Sequence, residues 1–210
     1  MKSVCLVAAL LLGLAMPVRA QRIGIIAGGT FSQLHGLDNV TAKSRSGTMF
    51  GVSFTLPSGG RTAIQPELLF VNKGSELELP GVGISDVRLD YLEIPLLLRF
   101  DGHITSALGP HLYVGPSLAF NVGCNVTVSG SGIPSTSSNC TRDNFSPKTF
   151  DWGAVVGGGV DLNAGGLGIT VGARYGIGLA NIANDNRGAL NERVRNGTFT
   201  VYAGLLFGHR

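Results

Sequence analysis

The strongest constraint on this chain is an alternation of apolar with tiny or polar residues that recurs along almost its whole length. Ile169, Val171, Ala173, Tyr175, Ile177 and Leu179 fall on one side of an extended segment, and Gly168, Thr170, Gly172, Arg174, Gly176 and Gly178 on the other, because successive side chains of a strand point to opposite faces. The same split recurs at residues 23–31, 50–56, 64–70, 92–100, 112–120, 152–162 and 199–207, which makes eight such segments. Two of them, around Gln65 and Pro95, also carry apolar residues on the second face. Beyond residue 20 no stretch reaches the roughly 18 consecutive apolar residues of a membrane helix. The chain is therefore expected to be all-β.

Connection lengths add the topology. Residues 57–60, 101–106 and 163–166 read as tight turns, whereas 34–44, 75–85, 121–149 and 182–195 read as long polar loops. Short and long alternate, as in an up-and-down barrel whose tight turns share one rim and whose loops share the other. Charged residues make up only 14% of the chain, against about 25% in an ordinary globular domain. A face of Gly, Ser and Thr with scattered charges cannot solvate an exterior, but it suits the narrow interior of an eight-stranded barrel. The expectation is an eight-stranded antiparallel up-and-down transmembrane β-barrel with its apolar face toward lipid. Closure also satisfies every backbone donor and acceptor without water. The alternative is a soluble periplasmic ligand-binding barrel with the two faces exchanged. Trp152, Tyr175, Phe50, Phe120 and Phe199 lie near strand ends, where they fit an aromatic girdle or simply reflect strand propensity.

The first 20 residues read as a secretory leader: basic Lys2, an apolar run from Val4 to Met16, Pro17, and small residues around Arg19 up to Ala20. Cleavage before Gln21 leaves residues 21–210 as one domain. Cys5 precedes the apolar run rather than ending it, so the lipoprotein reading is set aside. Of 16 basic and 13 acidic residues, Lys2 and Arg19 depart with the leader. The nearly neutral remainder offers no footprint for nucleic acid. Cys124 and Cys140 are then the remaining cysteines, and in an oxidising compartment they are expected to form a disulfide. With no histidine between them and no second C-x-x-C, a zinc site is not expected, and nothing else suggests a cofactor.

Gln65-Pro66-Glu67-Leu68-Leu69-Phe70, followed by Leu89-Asp90-Tyr91-Leu92-Glu93-Ile94-Pro95-Leu96-Leu97-Leu98-Arg99, resembles the paired third and fourth strands of PorT-like outer-membrane β-barrel proteins. Gly109-Pro110, Gly115-Pro116, Asp151-Trp152-Gly153, and Arg174-Tyr175 with Gly178-Leu179 and Asn181-Ile182 are similar to that family as well, so the resemblance spans roughly residues 23–207. It implies an eight-stranded barrel in the bacterial outer membrane. Most such proteins carry no assigned activity, and the name-giving branch is associated with protein secretion and gliding. Such barrels commonly end on an aromatic residue read by the outer-membrane assembly machinery, whereas here Gly208-His209-Arg210 follow Phe207.

Counting from the tight-turn rim puts Glu67, Glu93 and Arg174 at similar heights on the inner face, with Asp161, Arg99 and Gln65 extending the group toward the periplasm. Buried ions need partners, so these residues are expected to form a structural charge cluster that plugs the lumen. Enzymatic readings are thin. A lipid-modifying site would need His, Ser and an acid at the outer rim, yet His111 sits low on its strand, His103 lies in a turn and His209 at the terminus. Only His35 is left, with no G-x-S-x-G or H-E-x-x-H beside it. Gly157-Gly158-Gly159 lie inside a strand and lack the lysine and helix of a phosphate loop. Asn-x-Thr triplets at Asn39, Asn125, Asn139 and Asn196 are read as composition. The expected partners are membrane lipids, the assembly machinery, and a surface or secretion partner reached through the outer loops. Both termini are expected in the periplasm, and a narrow pore is the remaining alternative.

Overall fold

The computed structural model describes residues 22–35, 41–79, 83–105, 107–130, 133–140, 149–179 and 195–208. The leader expected at 1–20 lies outside them, as do His209 and parts of the expected loops. The described residues hold nine strands: β1 (Arg22–His35), β2 (Thr41–Gly59), β3 (Thr62–Leu79), β4 (Gly83–Asp101), β5 (Leu108–Gly130), β6 (Ile133–Asn139), β7 (Phe150–Ala164), β8 (Leu167–Gly178) and β9 (Arg195–Phe207). Eight of them, all but β6, close into a barrel in the order β1-β2-β3-β4-β5-β7-β8-β9, with β9 returning to β1 and β4 joined to β5. Every neighbouring pair is antiparallel.

The alternation read from the sequence sets which face is which. Ile25, Phe50, Leu96, Leu112, Val156 and Val171 are exposed on the outside, each about half accessible or more, while Thr30, Ser53, Gln65, Glu67, Arg99, Asp161 and Arg174 are buried within. Apolar side chains complete the filling: Ile26, Met49, Leu69, Val71, Leu97, Tyr113, Val155 and Tyr202 form one inner cluster. Phe31 pairs with Phe199 and Phe199 with Tyr175; Phe50 and Phe70 approach to 5.2 Å and Phe120 and Phe150 to 5.4 Å between ring centres. The aromatic residues thus form an exterior belt. From Phe199 to Phe207, eight steps of ~3.3 Å on a strand tilted by about 40° give a height of ~20 Å, near that of a transmembrane barrel's apolar band.

At the tight-turn end, Gly59, Gly60 and Gly165 have φ of 121°, 60° and 68°. Only glycine enters that region without strain, which is why these hairpins can close so sharply.

At the opposite end the structure corrects the reading of the loops. Residues 75–85, expected as a loop, are mostly strand: β3 and β4 stay paired up to Leu79 and Gly83. Much of the expected 121–149 loop is β5 running on to Gly130 and β6 returning beside it, from Ile133 opposite Gly130 to Asn139 opposite Asn125. Ser, Thr, Asn and Gly fill most of residues 121–139, so the apolar side chains that pack on the inner side there, Cys124 and Val126 against Val87 and Leu89, are too few to stand out as a period-two signal, and the segment reads as loop. The result is asymmetric. β2 to β6 rise well past the aromatic belt as a polar sheet, while β8 ends at Gly178 and β7 begins at Phe150.

Candidate lumen site

Three guanidiniums enter the lumen from different strands. Arg22 on β1 donates to Asp161 Oδ2 at 3.1 Å and to Asn163 Oδ1 at 2.6 Å. Arg99 on β4 donates to the same Asp161 oxygen at 2.5 Å, to Asp101 at 2.8 Å and to Gln65 Oε1 at 3.0 Å. Gln65 passes the chain on, its Nε2 donating to Glu67 Oε1 at 2.7 Å. Arg174 on β8 then clamps Glu67 with both terminal nitrogens, at 2.6 and 3.3 Å.

Aromatic rings complete the layer. The Arg174 guanidinium lies 4.8 Å from the Tyr202 ring centre and 5.5 Å from that of Tyr113, and the Tyr113 hydroxyl donates to that of Tyr202 at 3.1 Å. His111 stands between Tyr202 and Asp161, with Nε2 3.5 Å from the hydroxyl and Nδ1 3.2 Å from Asp161 Oδ1. Asp161, Arg99, Gln65, Glu67, Arg174, Tyr202 and His111 therefore form a closed circuit across the barrel. Glycines make room for it: a Cβ at Gly157 would come within 2.7 Å of the Tyr113 ring, and one at Gly172 within 2.5 Å of the Tyr202 hydroxyl.

Of the six residues expected to cluster, Glu67, Arg174, Gln65, Arg99 and Asp161 are brought together. Glu93 stands apart, bound to Lys73 Nζ at 2.6 Å. Counting from a rim assumes level strands, but barrel strands are tilted and staggered, and Glu93 sits opposite Leu69 rather than Glu67. Sequence reasoning left Arg22, His111, Tyr113 and Tyr202 out of the cluster. Their inward parity was the available signal, but parity does not say which inward residues meet. Cys124 and Cys140 are joined, and the Cys140 amide also donates to the Cys124 carbonyl at 3.1 Å. The bridge ties β6 to β5. His103 is exposed in the β4–β5 turn.

An antiparallel sheet closed on itself, apolar outside and ion-paired within, defines a membrane-spanning β-barrel. The chain belongs to the outer membrane protein beta-barrel domain family, whose profile matches residues 19–184, and is thus a small barrel of the bacterial outer membrane. Its fold is similar to the crystal structure of the outer membrane protein OprG from Pseudomonas aeruginosa, with a TM-score of 0.54 and 15% identity over 91% of this chain and 97% of that one. Neisserial surface protein A superposes with a TM-score of 0.48 and 15% identity, over 89% and 97% of the two chains. No curated protein matches the sequence.

Proposed function

We propose that this is a non-enzymatic, plugged outer-membrane barrel that works by surface interaction, through the polar sheet raised by β2 to β6. The observation that carries the reading is that sheet: ordered pairing continues to Gly130 and Ile133, ten residues beyond Phe120, and a disulfide fastens its last strand. An ordered, polar, stapled projection suits recognition better than a solvated cap. In this orientation the long hairpins face outward, the tight turns and both termini face the periplasm, and residues 1–20 act as the export leader. The partners are membrane lipids, the assembly machinery and a surface component, with no nucleic acid.

Two further observations favour parts of this reading. The run of hydrogen bonds through Asp161, Arg99, Gln65, Glu67 and Arg174 crosses the lumen, which favours a plugged barrel over a steady pore. His111 is engaged in that circuit, which speaks against its use in lipid chemistry. The secretion or gliding role of PorT-like proteins is the finer form of the proposal. It is favoured by the direct pairing of the two segments that carry the resemblance, with Gln65 opposite Leu97 and Phe70 opposite Leu92.

The test places a photo-cross-linking residue at Thr127 or Ser137 on the raised sheet, and at Leu112 near the tight turns as control. One dominant protein adduct in intact cells at the sheet positions and none at Leu112 supports the proposal. Absence of any adduct at both sheet positions, in correctly assembled protein, would sink it.

A further inference from the structure

The wall of the barrel is not uniform. Among the described residues, five of its eight seams, β1–β2, β9–β1, β8–β9, β7–β8 and β5–β7, are paired residue by residue without a gap. The other three lie side by side, and within the apolar band each is interrupted for two positions. On β2–β3 the pairing stops at Ser53 with Glu67 and resumes at Leu56 with Ile64. On β3–β4 it is missing between Pro66 with Leu96 and Leu69 with Glu93, and on β4–β5 between Pro95 with Ser117 and Leu98 with Val114. The register is the same on both sides of each of these gaps, so none of them is a bulge.

The cause is in the sequence. Each gap holds one proline, Pro66, Pro95 or Pro116, which has no N–H to donate and is normally confined to sheet edges. Each keeps its pairing on its other side, with Leu96, Ser117 and Ala154 respectively. The bonds lost are therefore those owed to the carbonyls of Phe54, Glu67 and Leu96. Since Pro66 stands opposite Leu96 and Pro95 opposite Ser117, the three gaps make one line across β2 to β5. Leu68, Ile94, Leu96, Val114 and Leu118 are exposed around it on the outside, a lipid-facing stretch where no water replaces a missing bond. Behind the line there is room. Glu93 and Ser117 on this wall and Gly176 on β8 line one cavity, and a Cβ added at Gly176 would meet nothing nearer than the Thr198 carbonyl oxygen at 3.9 Å. Ser117 is 4% exposed, and its Oγ has no hydrogen-bond partner among the described residues, whereas buried hydroxyls are normally satisfied.

We propose that the wall opens locally along this proline line, while the five unbroken seams hold the barrel closed, and that the opening loosens the lumen circuit from the side. Pro66 stands between Gln65 and Glu67, the middle of that circuit. Arg174, which clamps Glu67, projects from β8 in the unbroken half. A shift of the β3 backbone at Pro66 therefore lengthens the Glu67–Arg174 contact before any other. The motion is a local opening of a few paired positions rather than the unfolding of a strand. The plug is then a contact that is released and remade, with a brief passage for ions at each release. That consequence rests on the plugged reading of the lumen, whereas the weak line rests on the strand pairing alone.

Amide hydrogen exchange is measured on the full protein, purified from outer membranes and placed in lipid nanodiscs. The amides of Phe54, Thr55, Glu67, Leu68, Ile94, Leu96, Leu97 and Gly115 are expected to exchange roughly tenfold or more faster than those in the middle of β8 and β9. Pro66→Val, Pro95→Val and Pro116→Val each restore a donor. Each should slow exchange at its own seam about threefold or more, the worth of one hydrogen bond, with β8 and β9 unchanged and the heat-dependent gel shift kept. The loosening of the plug is read separately, as brief conductance steps across a planar bilayer that become rarer in the valine variants. Equal exchange along the line and in β8 and β9, or valine variants that exchange as fast as the parent, would overturn the weak line. Fast exchange without such steps, or with steps as frequent in the variants, would overturn the loosening. Steady conductance in the parent would contradict the plug itself and with it the loosening, leaving the exchange result to decide the line.

Discussion

Arg174 is the side chain whose loss would spread furthest through the lumen. It is 5% exposed, holds Glu67 through two nitrogens and lies against two tyrosine rings. Arg174→Ala would leave Glu67 buried without its cation, and breaking a buried pair in this way costs about 3–5 kcal/mol. A fall of that order in chemical unfolding of the detergent-solubilised protein is expected, with Arg174→Lys in between because it keeps the charge but loses the planar fork. An Arg174→Ala protein as stable as the parent would show that the pair does not hold the lumen. Gly157→Val tests the packing beside it: the new side chain would displace the Tyr113 ring, for a loss of about 1–3 kcal/mol by overpacking. At this scale the sequence was legible in parity alone. It placed Glu67, Arg99, Asp161 and Arg174 on the inner face, but gave no sign that Glu93 would pair with Lys73, four strand positions from its level.

Among the elements, the β5–β6 hairpin is the most informative. Its polar composition hid it from periodicity, because Ser, Thr and Asn suit a wet strand as well as a loop, and only the pairing of Asn125 with Asn139 and Val126 with Ser138 reveals it. The bridge spans a sequence separation of 16, and closing a loop of that size stabilises by about 3 kcal/mol in the chain-entropy picture. Replacing both Cys124 and Cys140 by serine should therefore accelerate proteolysis within residues 121–140 while the barrel's heat-dependent gel shift stays unchanged. A lost gel shift would mean that the hairpin helps to assemble the barrel itself. The ion pairs on this raised sheet, Arg45 with Asp86 at 2.6 Å and Arg88 with Asp90 at 3.0 Å, are partly exposed and contribute about 1 kcal/mol or less each. Arg88→Ala is accordingly expected to leave unfolding nearly unchanged.

For the whole molecule, the governing quantity is the exposed apolar exterior. Leu96, 52% exposed and midway between the ends of the outward row on β4, should mark the middle of the band. Leu96→Arg in lipid vesicles is expected to cost about 2–4 kcal/mol, falling toward zero for an arginine placed near either end of the strand. A flat profile with depth would contradict the outward orientation of this face. The sequence by itself determined that the chain is a barrel of eight strands, which face of each strand lies on the exterior, and which end carries the tight turns. Those properties follow from period two and from glycine at the turns, and both are local along the chain. Only the tertiary structure decided that Asp161 serves two arginines, that Tyr202 and His111 complete the circuit, and that residues 75–79, 83–85, 121–130 and 133–139 are sheet. Meetings across a lumen depend on the tilt and stagger with which eight strands close, and no stretch of one strand contains that information.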